Sequence, residues 1–573
     1  MSSLNSLSPY QKRHFVGSAA DLTDRNTVVD LYEQLEKRDI RSLQELEQWI
    51  LDRSEVDAAL SQAGSILYIH MTCQTDDKAI AAAYTNFIEH ISPAIKPIND
   101  RLNKKYLTLA KEYALNPDRY EVYDHAIRTD IELFNDKNVP LSTKVELLSQ
   151  EYQTVCGAMT VQFEGKEQTL PQMGKYLLEA DRAKREEAWL ATAARRMKEK
   201  DKLEDIFDRM FKLRNEISKN AAFSLFTQYQ FKAYHRFDYT PQDCKKYHET
   251  VERLIVPLNA MILEQRKKEM TLKNLKPWDT AVDALGRGPL KPFTEVKDLI
   301  NGTQRIFNQL DPQLAMEFKE MDDLGLLDLA SRKGKAPGGY QNTLSEARKP
   351  FIFMNAVGVD DDIRTLLHES GHAFHALAAA SDPIVDYRHS PMEFCEVASM
   401  AMELLGGQYI GEFYNREEAN RSNREHLEGM IHVLAWVANI DAFQHWLYEH
   451  PNHSQKERRQ AWIGFYEQFG GKFIDWSGQE DIKAYLWHRQ LHIFEVPFYY
   501  IEYGIAQLGA LQVWMNARKD PKKALTDYRK ALALGGSRPL PELYQTADIK
   551  FDFSAEIIKP LVEAVTEEWK KLL

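Results

Sequence analysis

Apolar residues recur at spacings of three and four through most of the sequence, which is the spacing of one buried face on an α-helix. Examples are the segment Leu43–Leu51, the set Leu203, Ile206, Phe207 and Met210, and the set Tyr247, Val251, Leu254, Ile255 and Leu258. Charges of both signs occupy the positions between them, as in Arg195–Lys202, and such mixed runs are typical of a solvated helix surface. The sequence therefore predicts a mainly α protein.

Two short stretches have the composition of β-strands. Val161–Gly165 and Lys349–Asn355 are rich in aromatic or β-branched residues and are bounded by glycine or proline. A glycine-rich basic loop over residues 332–340 precedes the second stretch, and its glycines allow another backbone to approach closely. This loop lacks the residue order of a phosphate-binding or dinucleotide-binding loop. We expect a small sheet at most.

The overall composition is that of a globular protein, with 44% hydrophobic and 28% charged residues. Asp and Glu number 85 against 73 Lys and Arg, and the net charge of −12 argues against nucleic acid as a partner. No run of about 18 apolar residues occurs in the sequence, so we expect no membrane span. A change of composition near residues 198–205 predicts an N-terminal helical region, residues 1–200, followed by a catalytic region, residues 201–573.

Cysteine usage and the first residues indicate where the protein resides. The four cysteines are too sparse for a disulfide framework and form no CxxC pair. The start, Met1–Asn5, has neither the basic nor the apolar stretch of a secretion signal. We therefore expect a cytoplasmic protein.

The sharpest motif is His368-Glu369-Ser370-Gly371-His372, in a segment with helical periodicity. Residues four apart lie on one face of a helix, so both imidazoles can bind one cation at about 2.0–2.1 Å each. Glu369 is rotated about 100° from His368, which places its carboxylate where it can act on a water molecule rather than bind the metal. His488 and His492 share the spacing but not the glutamate, and we interpret that spacing as coincidence.

A catalytic zinc ion needs a third protein ligand. A third histidine within the same motif is excluded, because the sequence lacks the glycine and histidine that this arrangement needs downstream. The candidates are carboxylates: Glu393, Glu396 and Glu403. Glu396 and Glu403 lie seven apart on the predicted helix Met392–Leu405, so Glu396 could bind the metal while Glu403 orients a ligand. Spacing alone does not separate Glu393 from Glu396.

The stretch Phe394–Ser399, whose glutamate lies 24 residues after His372, resembles the second zinc-site helix of the M3 family of oligopeptidases. This family includes the thimet oligopeptidase and oligoendopeptidase F group, and the motifs of this sequence most resemble those of oligoendopeptidase F. The resemblance implies that Glu396 is the third ligand of one Zn²⁺ per chain. His372–His375 also resembles the family's extended HExGHxxH form, which leaves His375 open as either a functional or a packed residue.

A second region carries the same resemblance. The segment Leu491–Ala506 looks like the family's histidine-then-tyrosine segment, which implies that His492, Tyr500 and Tyr503 bind substrate and stabilise the tetrahedral intermediate. Tyr499 is a further substrate-binding candidate. The spacing places Tyr503 three and four residues after Tyr500 and Tyr499, so on a helix the three hydroxyls would point to one side.

The glycine-rich loop and the strand after it resemble the rim of the family's active site. Gly338, Gly339 and Tyr340 end the loop, and Phe353 lies in the strand Phe351–Asn355. An exposed strand edge can pair with an extended peptide through main-chain hydrogen bonds. We therefore expect these residues to bind substrate.

Together these features predict a zinc-dependent endopeptidase that hydrolyses internal bonds of short oligopeptides. Glu369 would take a proton from the attacking water and return it to the leaving amine, while His492, Tyr500 or Tyr503 stabilises the oxyanion. The resemblance implies a multi-helical, zincin-type metallopeptidase with a small β-sheet beside the active-site helix and a deep substrate channel. The alternatives are a peptidyl-dipeptidase or carboxypeptidase of a related helical type, and a non-catalytic peptide-binding scaffold. The sequence indicates no oligomeric state.

Overall fold

The structure is a computed structural model that describes Leu4 and residues 7–573. It is 70% helical, which confirms the predicted mainly α class. The helices in the first half of the chain are α1 Arg25–Lys37, α2 Leu43–Cys73, α3 Lys78–Asn86, α4 Ser92–Tyr113, α5 Pro117–Leu133, α6 Asn138–Gly157, α7 Leu170–Met173, α8 Arg182–Met197, α9 Lys200–Asn220, α10 Phe226–Ala233 and α11 Pro241–Glu269. Those in the second half are α12 Val296–Leu310, α13 Pro312–Asp323, α14 Asp360–Ala378, α15 Met392–Gly407, α16 Arg416–Glu449, α17 Gln455–Gln468, α18 Glu480–Ala484, α19 Leu491–Glu495, α20 Ile501–Lys519, α21 Pro521–Ala533, α22 Leu540–Thr546 and α23 Ala555–Lys571.

Two compact units make up the chain, and each is assembled from three segments. The first unit comprises Met1–Glu132, Lys291–Ser422 and Ala506–Phe551. The second comprises Leu133–Leu290, Asn423–Ile505 and Asp552–Leu573. The division of the sequence at residue 200 remains a prediction.

The first unit contains the sheet that the sequence predicts beside the HExxH helix. Its strands are β3 Leu327–Ala330, β4 Tyr340–Leu344 and β5 Lys349–Ala356, in the order β3-β5-β4. β5 is parallel to β3 and antiparallel to β4, and it is buried from Pro350 to Met354. Helix α14 packs against β4 and β5, as predicted. The predicted strand Lys349–Asn355 is therefore the central one, which accounts for its apolar composition.

The second unit holds a separate hairpin, formed by β1 Thr160–Phe163 and β2 Lys166–Thr169. Glu164 and Gly165 connect the strands with φ of 53° and 74°, the positive values that a tight two-residue hairpin turn needs. The sequence analysis expected one small sheet at most, and the described residues form two small sheets. The strands missed were β2, β3 and β4, which are four or five residues long and carry polar or charged side chains.

Each unit has its own apolar core. In the first unit, α1, α2, α4 and α5 bury a shared cluster that includes Leu35, Trp49 and Tyr106. In the second unit, aromatic rings dominate, and Trp487 packs against Phe207 and Phe494 at centroid distances of 5.1 and 5.5 Å. None of the helices in the described part of the chain combines the length and apolar composition that a membrane span requires.

Candidate metal centre

Helix α14 carries the HExxH motif, and its start is fixed by a carboxylate cap. Asp362 Oδ2 accepts hydrogen bonds from the backbone N–H groups of Val357, Gly358 and Val359 at 2.8–2.9 Å. Three aspartates in the first turn, residues 360–362, also complement the positive end of the helix dipole. The cap thus fixes the N-terminal end of α14, which precedes the HExxH motif.

Helix α15 lies unusually close to α14, and Gly371 makes this approach possible. A Cβ atom built on Gly371 would lie 2.6 Å from the carbonyl oxygen of Ala398 and from Cα of Ser399. Any larger residue would force the two helix backbones apart. The glycine inside the motif therefore brings the carboxylates of α15 within reach of the imidazoles of α14.

His368, His372 and Glu396 converge in the first unit. One potential ligand atom from each lies within 4.8 Å of the other two. Glu396 Oε2 is 3.5 Å from Nε2 of His368 and 3.7 Å from Nε2 of His372. The structure thus brings together the three residues that the sequence analysis selects, on two helices.

The three side chains fit a divalent metal ion. Two imidazoles and one carboxylate are the donor set of a catalytic zinc site, with bonds of about 2.0–2.2 Å. Ligand atoms around a tetrahedral ion with such bonds lie about 3.4 Å apart, close to the two separations found here. The His368 and His372 side chains are 24% and 18% exposed, so solvent can reach this face of the cluster.

Glu403 orients His368 through the other ring nitrogen. Its Oε1 is 2.7 Å from Nδ1 of His368, so Nδ1–H donates to the carboxylate and Nε2 is directed at Glu396. A carboxylate behind a metal-binding histidine fixes both ring orientation and tautomer. The Ser399 hydroxyl donates at 3.0 Å to Oε2 of Glu396, the same oxygen that approaches the two imidazoles.

The electrostatics of the two imidazoles differ. Burial lowers the pKa of His368, but the hydrogen bond and charge of Glu403 outweigh burial and raise it to about 9. Burial, followed by the charge of His368, lowers the pKa of His372 well below its usual range. His372 is thus a neutral imidazole, the form that binds a metal.

Glu369 is a buried carboxylate beside the cluster and is not one of the three converging residues. Burial raises its pKa to about 7, and the charge of Glu396 acts in the same direction. A hydrogen bond from the backbone of Gln341, in β4, partly opposes this shift. The structure therefore places the edge of the sheet next to the glutamate predicted to move protons.

Two nearby residues lie outside the three-residue cluster. Glu393 is buried on α15, and its charge contributes to the raised pKa of Tyr544, which is caused mainly by burial. His375 is buried against the ring of Phe394, with centroids 6.0 Å apart, and burial lowers the pKa of its imidazole to about 4. Between the two alternatives left open for His375, this packing favours the structural one.

The glycine-rich loop leads into β4. Gly338 has a φ of +96°, which favours glycine, and its carbonyl accepts from Nδ2 of Asn355 at 2.9 Å. Tyr340 opens β4, and its ring stacks on Phe353 with centroids 4.7 Å apart. A Cβ atom on Gly339 would lie 3.3 Å from Thr365 of α14, so the loop passes close to the helix.

The structure changes two expectations about this rim. β5 is the central strand, so a peptide could pair only with β3 or β4, and β4 is the edge whose Gln341 backbone contacts Glu369. Phe353 is 0% exposed, and Nζ of Lys335 lies 4.4 Å from its ring centroid. Its side chain supports Tyr340 from within the sheet.

In the second unit, four rings of the predicted histidine-then-tyrosine segment meet. His492 lies 4.6 Å from Tyr500, 6.0 Å from Tyr503 and 6.2 Å from Tyr499, measured between ring centroids. The three tyrosines do not share a helix, because α20 begins only at Ile501, after Tyr499 and Tyr500. The cluster forms through the bend before the helix.

That bend has a physical cause. Pro497 disfavours helical geometry at the preceding residue, and Phe498 has a φ of 67°. Gln444 Oε1 accepts from the Phe498 N–H at 2.9 Å, and Arg236 donates to the Phe498 carbonyl at 2.7 Å. Arg236 also donates to Glu502 at 2.6 Å, so one buried guanidinium fixes both sides of the bend.

Two residues that the sequence analysis missed set the tautomer of His492. Trp436 Nε1–H can only donate, and it donates to Oε1 of Gln490 at 3.0 Å. The amide nitrogen of Gln490 therefore faces His492 and donates to Nδ1 at 2.7 Å. The neutral imidazole then carries its proton on Nε2. No spacing rule links Trp436 to His492, so only the fold reveals this chain of hydrogen bonds.

Comparison with known proteins places these features in a family. The chain matches Peptidase family M3 over residues 176–563 and the Peptidase M3 N-terminal domain over residues 23–134. The oligoendopeptidase F homolog of Borreliella burgdorferi is 25% identical over 339 residues, which is 56% of this chain and 55% of that protein. Oligopeptidase PepF of Bacillus subtilis is 23% identical over 287 residues, 49% of this chain and 42% of that protein. The alignments thus span about half the length of these curated relatives.

A solved structure extends the similarity over nearly all of the chain. The structure of PZ peptidase A with inhibitor 2 has a TM-score of 0.87 and 26% sequence identity, and the match covers 97% of this chain and 99% of that one. The family description over residues 176–563 alone covers more than half of the 573 residues. The chain therefore belongs to peptidase family M3.

Proposed function

We propose that this protein is a zinc-dependent oligoendopeptidase, which hydrolyses internal bonds of short peptides. The observation that carries the proposal is the convergence of His368, His372 and Glu396, with the buried carboxylate of Glu369 beside them. Membership of family M3 supports a peptide as the substrate.

His368, His372 and Glu396 would hold one zinc ion, and Glu403 would hold His368 in the required tautomer. A zinc ion bound there supplies Lewis acidity, which lowers the pKa of a water molecule toward about 7 and polarises the scissile carbonyl. Glu369 accepts the proton of the attacking water at a carboxylate oxygen. It then delivers that proton to the nitrogen of the leaving amine.

Stabilisation of the oxyanion is assigned to His492, Tyr500 and Tyr503. Nε2–H of His492, directed by Gln490 and Trp436, is a preformed donor, and the phenols of Tyr500 and Tyr503 are others. Because these groups are held before substrate arrives, they need no reorganisation during the reaction. Tyr499 packs on Tyr503 at 5.6 Å and belongs to the same substrate-binding cluster.

Substrate would bind through its main chain along β4. An edge strand offers free backbone groups, and an extended peptide can add to it with little dependence on side chains. Gly338 and Gly339 are exposed immediately before this strand, so the approach is not blocked by side chains. Tyr340, supported by Phe353, would contact the peptide at the start of the strand.

We further propose a cytoplasmic location and retain residues 201–573 as the catalytic region. The four cysteines, all in the described part of the chain, form no disulfide, which suits a reducing compartment. Every proposed metal ligand and catalytic residue lies after residue 201.

The choice of third ligand is tested by comparing two buried glutamates on α15. Glu396→Ala should abolish stoichiometric zinc binding, because a carboxylate of the converging cluster is lost. Glu393→Ala is the matched control and should retain zinc. Metal analysis of both purified variants decides, and zinc lost only from the Glu393 variant would refute the assignment.

A further inference from the structure

A second cluster of metal-binding side chains lies inside the second unit, on α11 and α16. Each helix contributes a pair of residues four apart: Cys244 and His248 on α11, Asp441 and His445 on α16. Residues at this spacing project from one face of a helix. All four are buried, and Asp441 is 0% and His445 2% exposed.

The potential ligand atoms lie within the same distance limit as those of the first cluster. One atom each from Cys244, Asp441 and His445 lies within 4.8 Å of the other two. Nε2 of His445 is 3.3 Å from Oδ2 of Asp441. Nε2 of His248 is 2.8 Å from the same oxygen.

Several of these buried polar atoms have no hydrogen-bond partner within the described chain. They are Oδ1 of Asp441 and both ring nitrogens of His445, since the 3.3 Å approach lacks hydrogen-bond alignment. Buried polar atoms in native proteins are nearly always paired. Unpaired polar atoms on two of the three converging residues, Asp441 and His445, are explained if an ion lies among the three.

The charge of Asp441 also indicates a bound cation. The ion pairs recorded for this carboxylate within residues 7–573 are with His248 and His445, and none is with lysine or arginine. A carboxylate removed from water needs a compensating charge. A divalent cation held between α11 and α16 would provide it.

We propose that Cys244, Asp441 and His445 bind a second zinc ion with a structural role, and that His248 orients Asp441. Thiolate, imidazole and carboxylate together favour zinc over harder cations such as calcium or magnesium. The complete burial of the cluster keeps substrate away from it, which favours a structural role over a catalytic one. The hydrogen bond from His248 to a ligating carboxylate is the usual support for such a ligand.

The ion would join α11 to α16 and reach the tyrosine segment. The ring of His445 packs on Phe498 at 5.2 Å, and Phe498 directly precedes Tyr499 and Tyr500. The neighbouring Gln444 accepts from the Phe498 N–H. Fixing His445 therefore fixes the bend that assembles the cluster of rings around His492.

The first experiment counts zinc in protein purified without a metal-affinity column. Wild type should contain about two zinc ions per chain, and the double variant His368→Ala/His372→Ala about one. Adding His445→Ala to that double variant should remove the remaining ion. About one ion in wild type and none in the double variant would overturn the proposal, as would an ion that survives His445→Ala. Since the readout is metal content, failure of the proposed peptidase activity would leave this result unaffected.

The second experiment identifies the thiolate ligand by replacing zinc with cobalt. Thiolate bound to Co²⁺ gives an intense near-ultraviolet charge-transfer band, and the first cluster contains no cysteine. The band should appear in wild type and in the His368→Ala/His372→Ala variant. It should be lost in Cys244→Ala and retained in Cys73→Ala, a buried cysteine of the first unit.

If Cys244→Ala does not fold, the cobalt spectrum of the His368→Ala/His372→Ala variant, whose second site is unchanged, still decides. A cobalt-loaded His368→Ala/His372→Ala variant without the band would show that no thiolate binds metal. The four residues would then form an ion-free hydrogen-bonded network centred on Asp441.

Discussion

His368 and Glu369 are adjacent in sequence but have different environments. His368 hydrogen-bonds Glu403 and directs its other nitrogen toward Glu396, whereas Glu369 is buried beside the sheet edge. The helical rotation between neighbouring residues causes the difference. One turn of α14 can therefore supply metal ligands on one side and a proton acceptor on the next.

Replacing Glu369 by glutamine should separate these two roles. Glu369→Gln keeps the size of the side chain and all three converging residues, so zinc content should be unchanged. Loss of the proton acceptor should lower kcat roughly 10²–10⁴-fold. Cleavage of a quenched peptide, measured together with zinc content, checks both. Near wild-type kcat in fully loaded protein would exclude Glu369 as the base.

Tyr503→Phe removes one phenol and preserves the ring that packs on Tyr500 and Tyr499. If the phenol donates mainly to the transition state, kcat should fall by about 10-fold or more while KM changes little. Steady-state kinetics on one peptide provides the measurement. An unchanged kcat would indicate that Tyr503 serves only in packing.

At the scale of single residues, the sequence identified the residues of the metal site better than it identified the contacts that orient each side chain. Spacing and resemblance selected His368, His372, Glu396 and Glu403, and the fold brings them together. Spacing did not select Glu396 over Glu393, because the distinction depends on how α15 is rotated against α14. The sequence could not predict the tautomer of His492 either, because it depends on Trp436, 56 residues earlier in the sequence.

The helix pair α14 and α15 depends on a glycine that intrinsic propensity disfavours. A glycine inside a helix costs about 1 kcal/mol relative to alanine. Gly371 is nevertheless required, because a Cβ atom there would lie 2.6 Å from the backbone of α15. The close approach of the two helices, which sets the position of Glu396, therefore matters more at this position than the helix propensity that glycine lacks.

Gly371→Ala should therefore destabilise the protein by about 1–3 kcal/mol and weaken zinc binding, since the helices must separate. Gly464→Ala is the matched control: Gly464 also lies inside a helix, α17, but a Cβ atom added there would meet no neighbouring atom of the described chain within 4 Å. The control should be neutral or stabilising by up to about 1 kcal/mol. Urea unfolding of both variants tests this, and equal stability of the two would contradict the role of Gly371.

Helices were predicted well and short strands poorly, for physical reasons. The segment around the HExxH motif and the predicted helix Met392–Leu405 show clear apolar periodicity, and both are helical, in α14 and α15. β3 and β4 are four and five residues long, too short for alternation to show, and are stabilised by pairing with β5.

Each unit gathers three separate stretches of sequence, which no local pattern reveals. The first unit combines α14 and α15 with the N-terminal helices and with residues 506–551, and Tyr528 from the last stretch donates to the Ala398 carbonyl at 2.7 Å. The helix that carries Glu396 is thus held from a distant part of the chain. Composition reports on neighbours in sequence only, and the linear division that it predicts near residue 200 stays a prediction.

Cleavage of a pool of N-acetylated, C-amidated peptides, with products identified by mass spectrometry, is the most direct test that this chain is a metal-dependent endopeptidase. The wild-type protein should cut internal bonds, lose this activity when a chelator removes the metal, and regain it when zinc is restored. Cleavage restricted to peptides with a free C-terminal carboxylate would instead indicate a carboxypeptidase or peptidyl-dipeptidase. Internal cleavage that persists after complete removal of the metal, or no cleavage by fully zinc-loaded protein, would contradict the assignment of His368, His372 and Glu396 as a catalytic zinc site.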